Sequence, residues 1–118
     1  MLWKEHLLEN TENFTDKAID HIFEGEVNGR GNGTGYHYEG IESSPGSVIE
    51  GTRGIPNEFG VYEGRVEVNG FPKTGNGEMS TFFPEEMTPQ QVIDTINEAY
   101  SNKTLVNGNT YKNYLSIS

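Results

Sequence analysis

Two segments of the chain have apolar residues at the spacing of an amphipathic helix. The first helix is predicted to begin after the N-cap residue Thr15 and to end at Gly25. The second begins at Pro89, where Thr88 and Gln91 have the spacing of a capping box. The predicted core faces are Phe14, Ala18, Ile19, Ile22 and Phe23 in the first helix, and Val92, Ile93, Ile96, Ala99 and Tyr100 in the second.

Alternating patterns between these helices predict short β-strands. The segment GVYEGRVEVNG alternates between an apolar and a charged face, and EMSTFFP is expected to return as its antiparallel partner. SVIEG and GYHY are predicted as further short strands, and the end of the chain as a hairpin about Asn107-Gly108. Helices combined with a meander of strands predict an α+β fold with an antiparallel sheet.

Length and composition narrow the class of protein. A chain of 118 residues forms one domain, which we place at residues 13–118, with residues 1–12 as a linker or a short docking helix. Without cysteine it has no disulfide and no Cys-ligated metal. The net charge of -10 argues against a broad nucleic-acid groove binder, but allows an enzyme that contacts a few nucleotides. The sequence contains neither a membrane helix nor a signal peptide.

The residues best suited to chemistry are His21 and His37, which bracket a glycine-rich loop. This loop matches no nucleotide-binding motif, and His6 is given no role. Cleavage of RNA by its own 2′-hydroxyl needs a base, an acid and donors for the developing phosphorane charge. Two histidines, a hydroxyl and a cation could supply all of these without metal. A metal site that recruits Glu24, Glu26 or Glu39 lacks a ligand-spacing motif, so no metal or cofactor is expected.

An ordered set of motifs carries a family resemblance. AIDHIFEGEVN, GTGYHYEG, GVYEGRVEV, STFFP and the TPQQVIDTINEAY helix together resemble the bacterial EndoU-type ribonuclease toxin domain, over roughly residues 14–101. The resemblance implies a fold of the barnase–EndoU–colicin–RelE group, with N-terminal helices packed on a small antiparallel β-sheet. It implies a metal-independent endoribonuclease that leaves 2′,3′-cyclic phosphate and 5′-hydroxyl ends.

Carried over residue by residue, the resemblance makes His21, His37 and Thr81 catalytic. By analogy His21 is the general base and His37 the general acid, with the reverse assignment open. Relatives also use a catalytic lysine that the motifs do not place here. Arg53 is the preferred cation, and the alternatives are Arg65 and Lys73.

The aromatic pair in STFFP bears on substrate binding. On an alternating strand Phe82 would enter the core, while Thr81 and Phe83 would face a cleft with the histidines, one to touch phosphate and the other to stack on a base. Relatives have tyrosine where this chain has Phe83, which argues against strict uridine specificity. Ser80 and Tyr36 are the other residues expected to bind RNA, and a plain buried strand end is the alternative.

The resemblance also implies partners and a location. The expected substrate is single-stranded RNA or a tRNA loop, and the expected protein partner is a cognate immunity protein. The free domain is expected to be a monomer without membrane contact. It would be secreted, or delivered into the cytoplasm of a target cell as the C-terminal part of a larger toxin. The competing interpretations are a non-catalytic interaction module and, less well supported, a metal-dependent hydrolase.

Overall fold

The computed structural model of the protein describes residues 8–102, in which one helix precedes and one follows a set of short strands. All paired strands are antiparallel, so the prediction of an α+β fold with an antiparallel sheet is confirmed. The elements are α1 Asp16–Phe23, β1 Glu26–Val27, β2 Gly33–Thr34, β3 Gly46–Val48, β4 Tyr62–Val68, β5 Phe71–Pro72, β6 Met79–Phe82 and α2 Pro89–Asn102.

Both helices begin at the predicted caps. The hydroxyl oxygen of Thr15 accepts from the amide of Ala18 at 3.0 Å, which satisfies one of the free donors at the start of α1. At α2 the capping box is reciprocal, since the Gln91 amide donates to Thr88 Oγ1 at 3.2 Å and the Thr88 amide donates to Gln91 Oε1 at 2.8 Å. These local signals fix where each helix starts.

Strand β4 lies at the centre of the sheet. It pairs with β3 on one side, while β5 and β6 pair with its two ends on the other. Its residues alternate as predicted: Tyr62, Gly64, Val66 and Val68 are buried, whereas the charged residues between them are exposed or half-buried. A separate two-stranded pair, β1 with β2, was not predicted.

The apolar residues form two core clusters. The helix core joins α1 and α2 through the buried residues Ile19, Phe23, Tyr38, Phe83, Val92, Ile93 and Ile96. The sheet core contains Tyr36, Tyr62, Val66, Val68 and Phe82.

The two adjacent phenylalanines enter different cores. Phe82 belongs to the sheet core and Phe83, only 8% exposed, to the helix core. Phe83 still lines a cavity together with Thr81, as predicted, but the lining of that cavity contains neither histidine. Strand alternation stops at Phe82, and the Phe83 amide then donates to the carbonyl of His37 at 2.9 Å, beside the helices. The STFFP segment thus connects the sheet core to the helix core, because it contributes one phenylalanine to each.

The predicted GYHY strand is wrong as well. Tyr36 has a φ of 72°, which no β-strand allows, and the amides of Tyr36 and His37 each donate at 2.7 Å to the carbonyls of His21 and Ile22. The segment is therefore held against the end of α1. Tyr100 is also 38% exposed, rather than buried on the core face of α2.

The chain before α1 is described only from residue 8 onward. Residues 8–12 form bends and turns, and Leu8 packs against the helix core. Residues 1–7 and the hairpin predicted about Asn107-Gly108 lie outside the described residues. Within residues 8–102 no helix is long and apolar enough to span a membrane.

Candidate active site

The two histidines singled out by the sequence lie side by side. The ring centroids of His21 and His37 are 5.5 Å apart, with the rings tilted by 41°. The main-chain bonds from residues 36 and 37 to the end of α1 create this proximity. Gly35 makes it possible, because a Cβ atom there would lie 2.5 Å from the His21 carbonyl oxygen and 2.9 Å from its Nδ1.

His21 lies in the last turn of α1 and is oriented by an acidic neighbour. Its Nδ1 is 3.0 Å from Oε1 of Glu26, and both side chains are about one-third exposed (33% and 32%). A carboxylate accepts hydrogen bonds, so Nδ1 carries a proton and Nε2 is the atom free to exchange one. Glu26 also compensates the positive charge of the imidazolium form of His21.

His37 is almost completely buried, with only 1% of its surface exposed. Its Nδ1 is 2.8 Å from the carbonyl oxygen of Thr81, which can only accept, so Nδ1 carries the proton of the neutral ring. Its Nε2 then carries a lone pair, and this atom is buried with no hydrogen-bond partner among the described residues. Burial, with smaller contributions from the charges of Lys73 and His21, lowers the pKa of His37 to about 3, although the hydrogen bond to Thr81 acts to raise it.

Lys73 is the cation that the structure brings to this pair. It is 5% exposed, and its Nζ donates to Ser80 Oγ at 2.8 Å, while the Ser80 hydroxyl donates to the carbonyl of Gly35 at 3.0 Å. Burial lowers the pKa of Lys73 to about 8. A bridge between Lys73 and Gly33 sets the turn that holds the lysine against the histidine loop.

The other two candidate cations are engaged in ion pairs. Arg53, the preferred cation from the sequence, binds Glu39 through both Nε, at 3.2 Å, and Nη2. Glu39 also accepts from the Tyr62 hydroxyl at 2.6 Å. Arg65 pairs with Glu78 at 2.8 Å. Neither contact involves a histidine, so the structure favours Lys73 over both arginines.

The remaining predicted site residues are Thr81, Tyr36, Ser80 and Phe83. Thr81 meets His37 through its main-chain carbonyl, and its half-buried side chain lines cavities whose linings contain neither histidine. Tyr36 is 3% exposed in the sheet core and packs edge-on against Phe82, so its ring is not available to stack on RNA. Ser80 is fully buried and contacts Lys73 rather than the surface, and Phe83 lies in the helix core.

The sequence did not indicate the roles of two residues of the site, Glu26 and Lys73. Glu26 follows the glycine that ends α1 and was considered only as a metal ligand, although a carboxylate five residues after a histidine can reach it across a helix end. Lys73 stands among turn residues, where a lysine is ordinarily solvated. Within residues 8–102 no group of three His, Asp or Glu side chains is placed to hold a metal ion.

The arrangement supplies the parts of general acid–base chemistry at an anionic centre. Two neighbouring imidazoles can remove and return protons, and a desolvated ammonium near them can stabilise negative charge. His21 lies on α1, His37 at the end of the glycine loop, and Lys73 in the turn after β5. Strand β6 supplies Ser80 and Thr81, which hold Lys73 and His37.

The chain is similar to known proteins. A relative from Bacillus cereus named "Toxin" is 54% identical over 104 residues, which cover 88% of this chain and 19% of that protein. The chain thus spans about a fifth of the length of that relative. No solved structure is significantly similar to this chain. The model of the family "Bacterial EndoU nuclease" matches residues 15–116, and the chain therefore belongs to the bacterial EndoU nuclease family.

Proposed function

We propose that this domain is a toxin ribonuclease that cleaves single-stranded RNA by metal-independent transesterification. The observation that carries the proposal is the pair of imidazoles 5.5 Å apart, whose free nitrogens are both Nε2, beside the buried Lys73. A phosphodiester bound beside both rings would have a proton acceptor in one imidazole and a proton donor in the other. Membership of the nuclease family supports the same conclusion.

The surroundings of the histidines favour one assignment of their roles. His37 is neutral near pH 7, since its pKa is about 3, and its unshared Nε2 lone pair suits a general base. His21 is one-third exposed and its Nδ1 is held by Glu26, so its Nε2 is the atom that can deliver a proton, which suits a general acid. This is the reverse of the assignment made by analogy.

Substrate binding is part of this mechanism. A base with a pKa of about 3 is weak near neutral pH, but an anionic phosphodiester beside it favours the imidazolium and raises that pKa. The ammonium of Lys73 then stabilises the charge that builds up on the phosphorane oxygens. The carbonyl of Thr81 keeps the proton of His37 on Nδ1, so that the lone pair of Nε2 is left to accept a proton once substrate binding opens access to it.

The reaction balances without a cofactor. The 2′-hydroxyl gives its proton to Nε2 of His37 as O2′ bonds to phosphorus. The bond from phosphorus to O5′ breaks, and Nε2 of His21 gives O5′ a proton. The products are a 2′,3′-cyclic phosphate and a 5′-hydroxyl, and proton exchange with water restores both histidines.

The test is cleavage of a synthetic single-stranded oligonucleotide by the domain and its variants. His21→Ala and His37→Ala should each slow cleavage by about 10²- to 10⁴-fold, because each removes one proton-transfer partner. A substrate with one 2′-deoxy position should resist cleavage at that position, and EDTA should have no effect. Wild-type rates in either variant, or activity lost to EDTA and restored by Mn²⁺, would contradict the mechanism.

The biological setting follows from the relative. We infer that the domain is one module of a longer toxin, delivered into target cells and neutralised there by an immunity protein. Expression of the domain in the cytoplasm should arrest growth, and co-expression of the product of the adjacent gene should relieve the arrest. The His21→Ala variant is the control and should be harmless.

A further inference from the structure

We propose that the cavity between the glycine loop and the turn after Lys73 is a second phosphate subsite. It would bind a phosphate that flanks the cleaved one in the RNA strand, with Arg30 as its cation. This inference rests on the proposed ribonuclease function and adds the path that the substrate takes across the surface.

The chemistry of the cavity suits an anion. Its volume is about 490 Å³, and it is lined by Arg30, two asparagines, the threonines Thr34 and Thr74, and three glycines. No carboxylate lines it. Two other cavities of similar size, about 480 and 500 Å³, both include glutamate in their linings. In a chain of net charge -10, a concave polar surface without acids is a favourable place for a phosphate.

Arg30 is free to bind a ligand. Of the lysines and arginines in residues 8–102, Arg53 and Arg65 pair with glutamates and Lys73 is buried. Arg30 is exposed, and within the described part of the chain no carboxylate pairs with it. Lys17 is similarly exposed, but it lies on α1 and does not line the cavity.

Hydrogen bonds within the loop fix the main chain at Arg30 before any ligand binds. The side-chain oxygen of Asn28 accepts from the amides of Arg30 and Asn32, at 2.9 and 3.1 Å. The amide of Asn28 in turn donates to the Asn32 carbonyl at 2.9 Å, next to the β1–β2 pair. A fixed loop loses less conformational entropy on binding than a mobile one.

Two residues of the cavity pair with residues of the histidine site. Thr34 of the cavity pairs with Glu26, the partner of His21, and Gly33 of the cavity bridges Lys73. Thr34 and His37 are three residues apart, which limits their Cα separation to about 11 Å. A strand bound at the histidines would then place a flanking phosphate in the cavity that Thr34 and Arg30 both line.

The test compares two substrates in steady-state cleavage. One is a dinucleotide whose only phosphate is the scissile one, and the other is a heptanucleotide with the same cleavage site. Arg30→Ala should raise KM for the heptanucleotide about fivefold to tenfold with kcat nearly unchanged, and should not affect the dinucleotide. For the heptanucleotide, the slope of log kcat/KM against log salt should fall by about 0.7, the value for one phosphate contact with a single strand.

The matched control is Lys17→Ala, which removes the same charge from an exposed position outside the cavity. An equal effect of both variants on the heptanucleotide, or an equal effect of Arg30→Ala on both substrates, would overturn the subsite. Binding of a fully 2′-deoxy heptanucleotide, followed by fluorescence polarisation, gives a readout without cleavage. If the unsubstituted domain cleaves no RNA, the ribonuclease proposal fails, while this binding assay still decides whether Arg30 holds a phosphate strand.

Discussion

Replacing Gly35 with alanine should separate the activity of the domain from its stability. Gly35 has a φ of 75°, and a Cβ atom there would lie 2.5 Å from the His21 carbonyl oxygen, closer than real Cβ contacts come. The added methyl group must therefore push the glycine loop away from the end of α1. That movement would stretch the 2.7 Å bonds by which residues 36 and 37 hold the histidines together.

The expected magnitudes follow from two terms. A left-handed backbone conformation costs a residue with a side chain about 1–2 kcal/mol, and each weakened buried hydrogen bond costs about 1 kcal/mol more. With both hydrogen bonds weakened, Gly35→Ala should thus lower the free energy of unfolding by about 3–4 kcal/mol. A typical domain is stable by roughly 5–15 kcal/mol, so most of the variant remains folded. Cleavage should fall by about 100-fold, since a displacement of about 1 Å between catalytic groups can cost that much.

The matched control is Gly51→Ala. Gly51 has a φ of 84°, but a Cβ atom there would meet nothing within 4 Å, so the control carries the backbone cost without the clash. Urea unfolding measures stability, and initial rates on a synthetic oligonucleotide measure activity. Gly51→Ala should lose about 1–2 kcal/mol and keep its rate. If Gly35→Ala matches Gly51→Ala in both assays, the close approach of Gly35 to His21 is not what sets the histidine geometry.

Two further predictions concern residues whose roles the structure changed. Phe83→Ala should destabilise the domain by about 3–5 kcal/mol, as Phe82→Ala should, because both rings are buried; a Phe83 variant of normal stability that fails to cleave would restore its role in base stacking. Cleavage should decline as the pH rises past about 8, where Lys73 loses its proton, and Lys73→Met should remove that limb of the profile along with most of the activity. Between pH 8 and 10.5 Lys73 holds more protons in the unfolded chain than in the folded one. The contribution of Lys73 to the free energy of unfolding should therefore rise over the pH range in which activity falls. Lys73→Met should abolish that rise, and a pH profile unchanged by the substitution would refute the assignment of Lys73.

The parts of the fold set by local signals were predictable. The caps at Thr15 and Thr88 and the alternation along β4 depend on neighbouring residues, and all were observed where the sequence placed them. Tyr36 and Phe83 were misassigned because their conformations depend on hydrogen bonds to distant segments, which single-sequence periodicity does not contain.

The same distinction applies to the candidate site. The histidines could be found because they stand on either side of a glycine loop, and the structure places them together. The position of Lys73 could not be found in this way. Its burial arises from pairing with Gly33 and from the Ser80 hydroxyl, and both contacts exist only after the strands have assembled.

The bond between His37 and Thr81 joins residues 44 positions apart and has a consequence for folding. The histidine pair can form early, from α1 and the loop that follows it, whereas the carbonyl that fixes His37 and the serine that holds Lys73 arrive only when β6 pairs with β4. A chain emerging from a ribosome or a membrane pore would carry both imidazoles and yet be inert until that late pairing. In stopped-flow refolding, RNA cleavage should therefore appear with the slowest phase and lag behind the recovery of helical circular dichroism.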